Sequence, residues 1–161
     1  MKVYLGGAMF TKADIDNNLR LARTIREHGI DVYCPNENLS INDKTSSNVT
    51  SEEIYRVDLS ELESCNVFIC QVSEDSGTMW EAGYMDCLHR HVNPPKYLGT
   101  IGLATDIRLH SKPDPQKAGV DNQAMYINAF VVGGLKLSLG IFTRELDLIE
   151  KLERLQSTMG Q

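Results

Sequence analysis

Val67-Phe68-Ile69-Cys70-Gln71-Val72, then Ser73 to Gly77, then Thr78-Met79-Trp80-Glu81-Ala82-Gly83-Tyr84, is the stretch on which the fold turns. The first six residues are nearly all apolar. A strand with one wet face alternates, so this run reads as a central strand covered on both faces. Ser73 to Gly77 reads as a turn. Trp80, Tyr84 and Leu88 recur at helical spacing, so the strand passes almost directly into a helix.

The same alternation of strand and helix extends outward in both directions. Upstream, Lys2 to Leu5 is a short β-rich run ending at Gly6-Gly7. Ile15, Leu19, Ala22 and Ile25 mark one helical face that Gly29 stops. Ile30 to Cys34 is a second strand, ended by Pro35, and Asn36 to Thr50 reads as a loop. Ser51 offers an N-cap with Glu52 and Glu53 in the first turn. Its helix carries Ile54, Asp58, Leu62 and Cys65 on one stripe. Downstream, Tyr97 to Leu103 is a weaker strand. The polar Thr105–Val120 segment reads either as a lid over a site or as a tolerated insertion. Asn122 to Leu137 is apolar and favours helix. Thr143 caps a last amphipathic helix through Leu146, Ile149 and Leu152. The whole pattern predicts α/β architecture: a single domain over residues 1–161, with about five strands in a doubly wound parallel sheet of flavodoxin or Rossmann type and helices on both faces.

Composition agrees with one globular domain. The chain has 161 residues, 42% hydrophobic and 24% charged, an ordinary globular mix. No apolar run approaches membrane-spanning length. MKVYLGGAMF is too soon interrupted for a secretion signal, so the expected compartment is the cytoplasm. A net charge of -6, without a basic stripe, excludes nucleic-acid polymers as natural partners. Cys34, Cys65, Cys70 and Cys87 show no C-x-x-C spacing and read as buried reduced thiols. His89 and His91 point apart on a helix, so no shared metal is expected. Asn48-Val49-Thr50 matches a glycosylation acceptor by chance only.

Three strand ends carry residues suited to chemistry, and open α/β sheets bind ligands there. Gly6-Gly7 would let a ligand approach the backbone, although a plain tight turn needs the same residues. In the Asp75–Tyr84 segment, Glu81 is expected in the first helical turn. The helix N-terminus would keep it ionised there and ready to attack an electrophilic sugar carbon. Spacing alone favours the plainer reading, with Glu81 a surface residue and Asp75 a turn residue. Gly83 is expected to serve close packing. Asp58 falls on an apolar stripe, where a carboxylate belongs to a site unless a one-residue phase shift returns it to solvent.

Together these residues resemble the nucleoside 2-deoxyribosyltransferase family. Tyr4-Leu5-Gly6-Gly7-Ala8-Met9-Phe10 is similar to the family's opening strand and loop. Asp58-Leu59 resembles its helix Asp. Asp75-x-Gly77-Thr78-x-Trp80-Glu81-x-Gly83 resembles its most diagnostic segment. Asn128, in Tyr126-Ile127-Asn128-Ala129-Phe130, resembles the Asn of its N-L-M segment, with Ala129-Phe130 in place of Leu-Met. The resemblance implies that Glu81 attacks C1′ of a 2′-deoxynucleoside and that a second base resolves the glycosyl ester with retention. It implies that Asp75 and Asp58 hold or protonate the leaving base and that Tyr4 orients Glu81. Gly6, Gly7, Phe10, Gly77, Asn128 and Phe130 would contact substrate, with Asn128 completing a neighbouring subunit's site in a homo-oligomer. Phe10 and Trp80 would offer apolar surface around the base or sugar, with core packing the favoured role for Trp80. No metal or organic cofactor is implied, and the partners are deoxynucleosides and nucleobases.

Three other functions fit parts of the pattern. A deoxynucleoside 5′-monophosphate N-glycoside hydrolase would use the same nucleophile, with Arg108 or Lys112 as phosphate contacts. Phosphoribohydrolases of the cytokinin-activating type share the Gly77-Thr78-x-x-Glu81 tail but not its preceding P-G-G. A nucleotide-binding sensor would need no turnover.

Overall fold

The structure is a computed structural model that describes residues 1–42, 48–110, 116 and 127–159. Five strands form one all-parallel sheet in the order β2-β1-β3-β4-β5. They are β1 (Lys2–Gly6), β2 (Asp31–Tyr33), β3 (Val67–Gln71), β4 (Gly99–Leu103) and β5 (Ile141–Phe142). The helices are α1 (Lys12–Glu27), α2 (Leu39–Asn42), α3 (Ser51–Ser64), α4 (Ser76–Cys87), α5 (Ala129–Leu137) and α6 (Glu145–Met159). Among the described residues, no helix is long and apolar enough to cross a membrane.

Side chains of a strand alternate between faces, and this alternation builds two separate cores. Val3 and Leu5 of β1, with Val67 and Ile69 of β3, meet Leu21, Ala22 and Ile25 of α1 and Leu148 and Leu152 of α6. Tyr4, Phe68 and Cys70 point the other way, onto Leu62, Met85 and Leu135 of α3, α4 and α5. The near-continuous apolar character of Val67 to Cys70 is thus the signature of a strand covered twice. The strand order reverses between β1 and β3, where Gly6 lies opposite Cys70. Crossovers leave β1 and β3 toward opposite faces there, which opens a crevice beyond their carboxyl ends.

Element boundaries differ from expectation for local reasons. Thr50, not Ser51, caps α3: its hydroxyl accepts from the Glu53 N–H while the Glu53 side chain accepts from the Thr50 N–H, a capping box. The turn after β3 is shorter than expected, because Asp75 is the N-cap and Ser76 and Gly77 are already helical. Pro35–Glu37 forms a 3-10 turn and Leu39–Asn42 a helical turn within the expected loop. The last helix starts at Glu145. Helix α5 starts only at Ala129, and residues 122–126 of the expected helix lie outside the described residues. So does most of the Thr105–Val120 segment, whose described start contains a 3-10 turn at Ile107–His110. Cys34, Cys65 and Cys70 are buried, but Cys87 is exposed at the end of α4. Gly83 is not a packing glycine, because a Cβ there would meet nothing within 4 Å.

Candidate active site

The site lies where the β1–β3 crevice meets the start of α4. A parallel strand aims its carboxyl end at this crevice. Alternation along β1 turns Tyr4 toward the face that α4 covers. The Tyr4 ring is buried between Tyr33 and Phe68, with ring centroids at 5.0 and 5.5 Å. Only its hydroxyl reaches the crevice, and it donates to Glu81 Oε1 at 2.7 Å.

Glu81 sits in the second turn of α4, not the first, because the helix begins at Ser76. The expected electrostatics change with it. Burial pushes the Glu81 carboxyl up to about 7, the Tyr4 hydroxyl pulls it down, and the Asp58 and Asp75 carboxylates add to the rise. The helix N-terminus therefore does not keep Glu81 ionised. Tyr4 is driven far the opposite way from deprotonation by burial and by Glu81 and Asp58, so it stays a donor.

Asp75 serves as the N-cap of α4. Its Oδ1 accepts from the Gly77 N–H at 3.1 Å, and its Oδ2 accepts from the Thr78 N–H at 3.1 Å and the Thr78 hydroxyl at 2.6 Å. Asp58, half-buried on α3, accepts from the Tyr33 hydroxyl at 3.2 Å, and Asn38 Nδ2 donates to that hydroxyl at 3.0 Å. Asp58 thus faces the crevice rather than bulk solvent.

Three cavities adjoin these groups. One, of about 200 Å³, is lined by Tyr4, Gly6, Gly7, Phe10, Asp58, Asp75, Gly77, Thr78 and Glu81, among others. A second, of about 330 Å³, runs between α3 and α4 and shares Asp58, Gly77 and Glu81 with the first. A third, of about 730 Å³, shares Phe10 and Asp75 with the first and carries Asp14, Glu74, Asp106 and Asn128.

Of the sequence-derived site residues, the structure brings Glu81, Asp75, Asp58, Tyr4, Gly6, Gly7, Phe10 and Gly77 onto one cavity. Asn128 lines the adjoining acidic cavity of its own chain, and its Oδ1 accepts from the Phe130 N–H at 2.9 Å to cap α5. Phe130 is not brought in. It is 89% exposed and lines a separate cavity with Gly83 and Asp86. Packing by itself requires Gly6 and Gly7 to be small. A Cβ on Gly6 would overlap the Phe68 ring and lie 3.2 Å from Glu81 Oε2, and one on Gly7 would overlap Gln71. Trp80 is 71% exposed and not in the core. Sequence reasoning missed Asn18, which is buried. Its Nδ2 donates to the Ala8 carbonyl and Asn36, and its Oδ1 accepts from Gln71, which ties the loop after β1 to β3. A polar residue beside the apolar stripe of α1 was its only signal. Tyr33, which holds Asp58, was likewise missed.

This chain is similar to known proteins. A family model described as nucleoside 2-deoxyribosyltransferase matches residues 3–129. An uncharacterised protein of Ureaplasma parvum serovar 3 is 28% identical over 163 residues, spanning 94% of each chain. The crystal structure of a conserved protein from Enterococcus faecalis V583 superposes with a TM-score of 0.78 at 28% identity, covering 96% of this chain and 98% of that one. A 2-deoxyribosyltransferase from the psychrotolerant bacterium Bacillus psychrosaccharolyticus superposes with a TM-score of 0.62 at 17% identity, covering 92% and 90%, and shares the fold. With the family's model spanning most of the sheet and every carboxylate of the crevice, this chain belongs to the nucleoside 2-deoxyribosyltransferase family.

Proposed function

We propose that the chain transfers a 2-deoxyribosyl group between nucleobases through a covalent ester on Glu81. What supports this reading is one observation: the half-buried Glu81 carboxyl, held by the Tyr4 hydroxyl at 2.7 Å, lines a cavity that it shares with Asp58 and Asp75. Ionised Glu81 attacks C1′ as the bond to the base nitrogen breaks. The bonding pair leaves with the base, and a proton moves from Asp58 onto a base nitrogen so that the base departs neutral. The second base then attacks C1′, Glu81 leaves as carboxylate, and the proton returns to Asp58. Two displacements at one carbon give retention. The oxocarbenium-like charge builds beside Asp75, whose carboxylate α4 holds in place. Loss of the 2′-hydroxyl eases formation of that cation. Tyr4 donates to the one Glu81 oxygen and leaves the other free to react.

The acidic third cavity favours a neutral 5′ end. Asp14, Glu74, Asp75 and Asp106 line it beside Asn128, and none of its described lining residues is Lys or Arg. A 5′-monophosphate hydrolase would have to hold a phosphate there against the repulsion of these carboxylates.

The test is incubation with deoxyinosine and free adenine, followed by chromatography. Deoxyadenosine is the expected product. Hypoxanthine without deoxyadenosine favours the hydrolase, and neither product overturns deoxyribosyl transfer between these bases. A 2-fluoro-arabinosyl nucleoside should leave an adduct on Glu81, visible by mass spectrometry.

A further inference from the structure

We propose that Tyr33 is a positioning residue for the proton that goes to the leaving base: a one-way series of hydrogen bonds from Ser40 through Asn38 and Tyr33 keeps Asp58 Oδ1 an acceptor, so the proton that Asp58 delivers sits on Oδ2. The assignment rests on the transfer reading above, in which Asp58 is the acid, and adds the residue that governs it. The series starts at a group that can only donate. The Ser40 N–H gives to Asn38 Oδ1 at 3.3 Å, and the Ser40 hydroxyl gives to the same oxygen at 2.6 Å. Those partners fix which way round the Asn38 amide sits. Asn38 Nδ2 therefore faces Tyr33 and donates to its oxygen at 3.0 Å. The one phenolic proton is left for Asp58 Oδ1, at 3.2 Å. The oxygen that accepts it serves as the carbonyl oxygen of the neutral acid.

Strand register places the hydroxyl. Tyr4 of β1 pairs with Tyr33 of β2, and their ring centroids are 5.0 Å apart. Two neighbouring tyrosines thus serve two carboxyls, Tyr4 that of Glu81 and Tyr33 that of Asp58. Tyr33 lines neither of the cavities that Asp58 lines, so it acts through Asp58 and not on substrate. Burial pushes the Tyr33 hydroxyl up by more than the Asn38 bond pulls it down, so it keeps the proton it donates. Its bond to Asp58 changes during the reaction. The Oδ2 proton moves to a base nitrogen, the bond from C1′ to the base breaks with its electron pair going to the base, and Glu81 bonds to C1′. Asp58 is then a carboxylate, and the Tyr33 bond becomes charge-assisted and stronger. Tyr33 thereby stabilises the transition state more than the ground state, which is what speeds the step.

The test compares two donors whose bases do and do not need that proton. Hypoxanthine leaving 2′-deoxyinosine must take one up to depart neutral. The base of N7-methyl-2′-deoxyinosine is already positive, and the bonding pair cancels that charge, so it departs neutral without one. Adenine is the acceptor for both, and kcat/KM for the donor reports only the first displacement. Tyr33→Phe keeps the ring against Tyr4 and removes the hydroxyl. It should lower kcat/KM for deoxyinosine by about 10- to 100-fold, the cost of one hydrogen bond to a charged group, and leave the methylated donor unchanged. Asn38→Asp sets an acceptor where Tyr33 met a donor. It draws the phenolic proton away from Asp58 and should reproduce the split with Tyr33 in place. Asp58→Asn should show the split more strongly, and Glu81→Gln should lose both donors. Equal losses on the two donors in Tyr33→Phe mean a structural role and overturn the proposal, as does no loss on either. If Tyr33→Phe fails to fold, Asn38→Asp decides: a loss confined to deoxyinosine supports the proposal, and the absence of that split overturns it. These outcomes leave the transfer reading standing. A native chain that cleaves neither donor overturns that reading, and the part of Tyr33 with it.

Discussion

A carboxyl group that must ionise to act, placed where ionisation is disfavoured, leaves a mark on both rate and stability. For Glu81 the folded-state value of about 7 lies above its ordinary 4.5. The native state therefore prefers the neutral form. Its contribution to stability is fully present below pH 4.5 and is lost as pH rises through about 7. Glu81→Gln keeps an acceptor for Tyr4 and removes the titration. Its unfolding free energy should exceed that of the native chain increasingly between pH 5 and 8, by up to about 2–3 kcal/mol. Denaturant unfolding at several pH values measures this. The same variant should lose at least ~10³-fold in exchange rate, since the proposed nucleophile is gone. In the native chain, kcat/KM should rise with pH through about 7 as Glu81 ionises. Tyr4→Phe removes the bond that holds the carboxyl down. The acid limb of its pH–rate profile should move to higher pH, by about one unit.

At the scale of the element, α4 is both a structural helix and the mount of the proposed nucleophile. Asp75 satisfies two of its free N–H groups and the Thr78 hydroxyl. Asp75→Ala should cost about 0.5–2 kcal/mol in thermal or chemical unfolding and should also slow exchange, because the first turn sets where Glu81 points. Asp75→Asn keeps a capping acceptor, so it should recover most of the stability while remaining slow. That split separates the cap from the charge. The start of α4 also shows where pattern reading ran out. Hydrophobic spacing marked the helix through Trp80 and Tyr84, yet both proved to face a groove. Periodicity records which side chains share a face, not whether a neighbour covers that face. The phase of Glu81 within the helix depended on the cap, and Ser73, Asp75 and Ser76 are all residues that can cap.

At the scale of the whole molecule, the sheet order makes the site. Strand β1 supplies Tyr4 and the Gly6-Gly7 corner, α3 supplies Asp58, and the β3–α4 connection supplies Asp75 and Glu81. All converge only because β1 and β3 are neighbours. The acidic cavity beside them should make the deoxynucleoside a better substrate than its 5′-monophosphate. The expected ratio in kcat/KM is at least ~10-fold at low ionic strength and narrows as salt screens the repulsion. Steady-state comparison of deoxyinosine with its monophosphate at two salt concentrations checks it.

The sequence by itself determined the parallel α/β architecture. Continuous apolar runs and helical stripes record burial on two faces, and burial is a property of the pattern. It also marked Glu81, Asp75, Asp58 and Tyr4 as a set through their likeness to a family motif. Only the tertiary structure decided how those groups meet. The Tyr4–Glu81 hydrogen bond spans 77 positions, and no local rule reaches that far. The ionisation of Glu81 was inverted for the same reason: helix position is written locally, but desolvation comes from the packing of β1, α3 and α4 around it. The exposure of Trp80, Cys87 and Gly83 followed likewise from which surfaces the fold left uncovered.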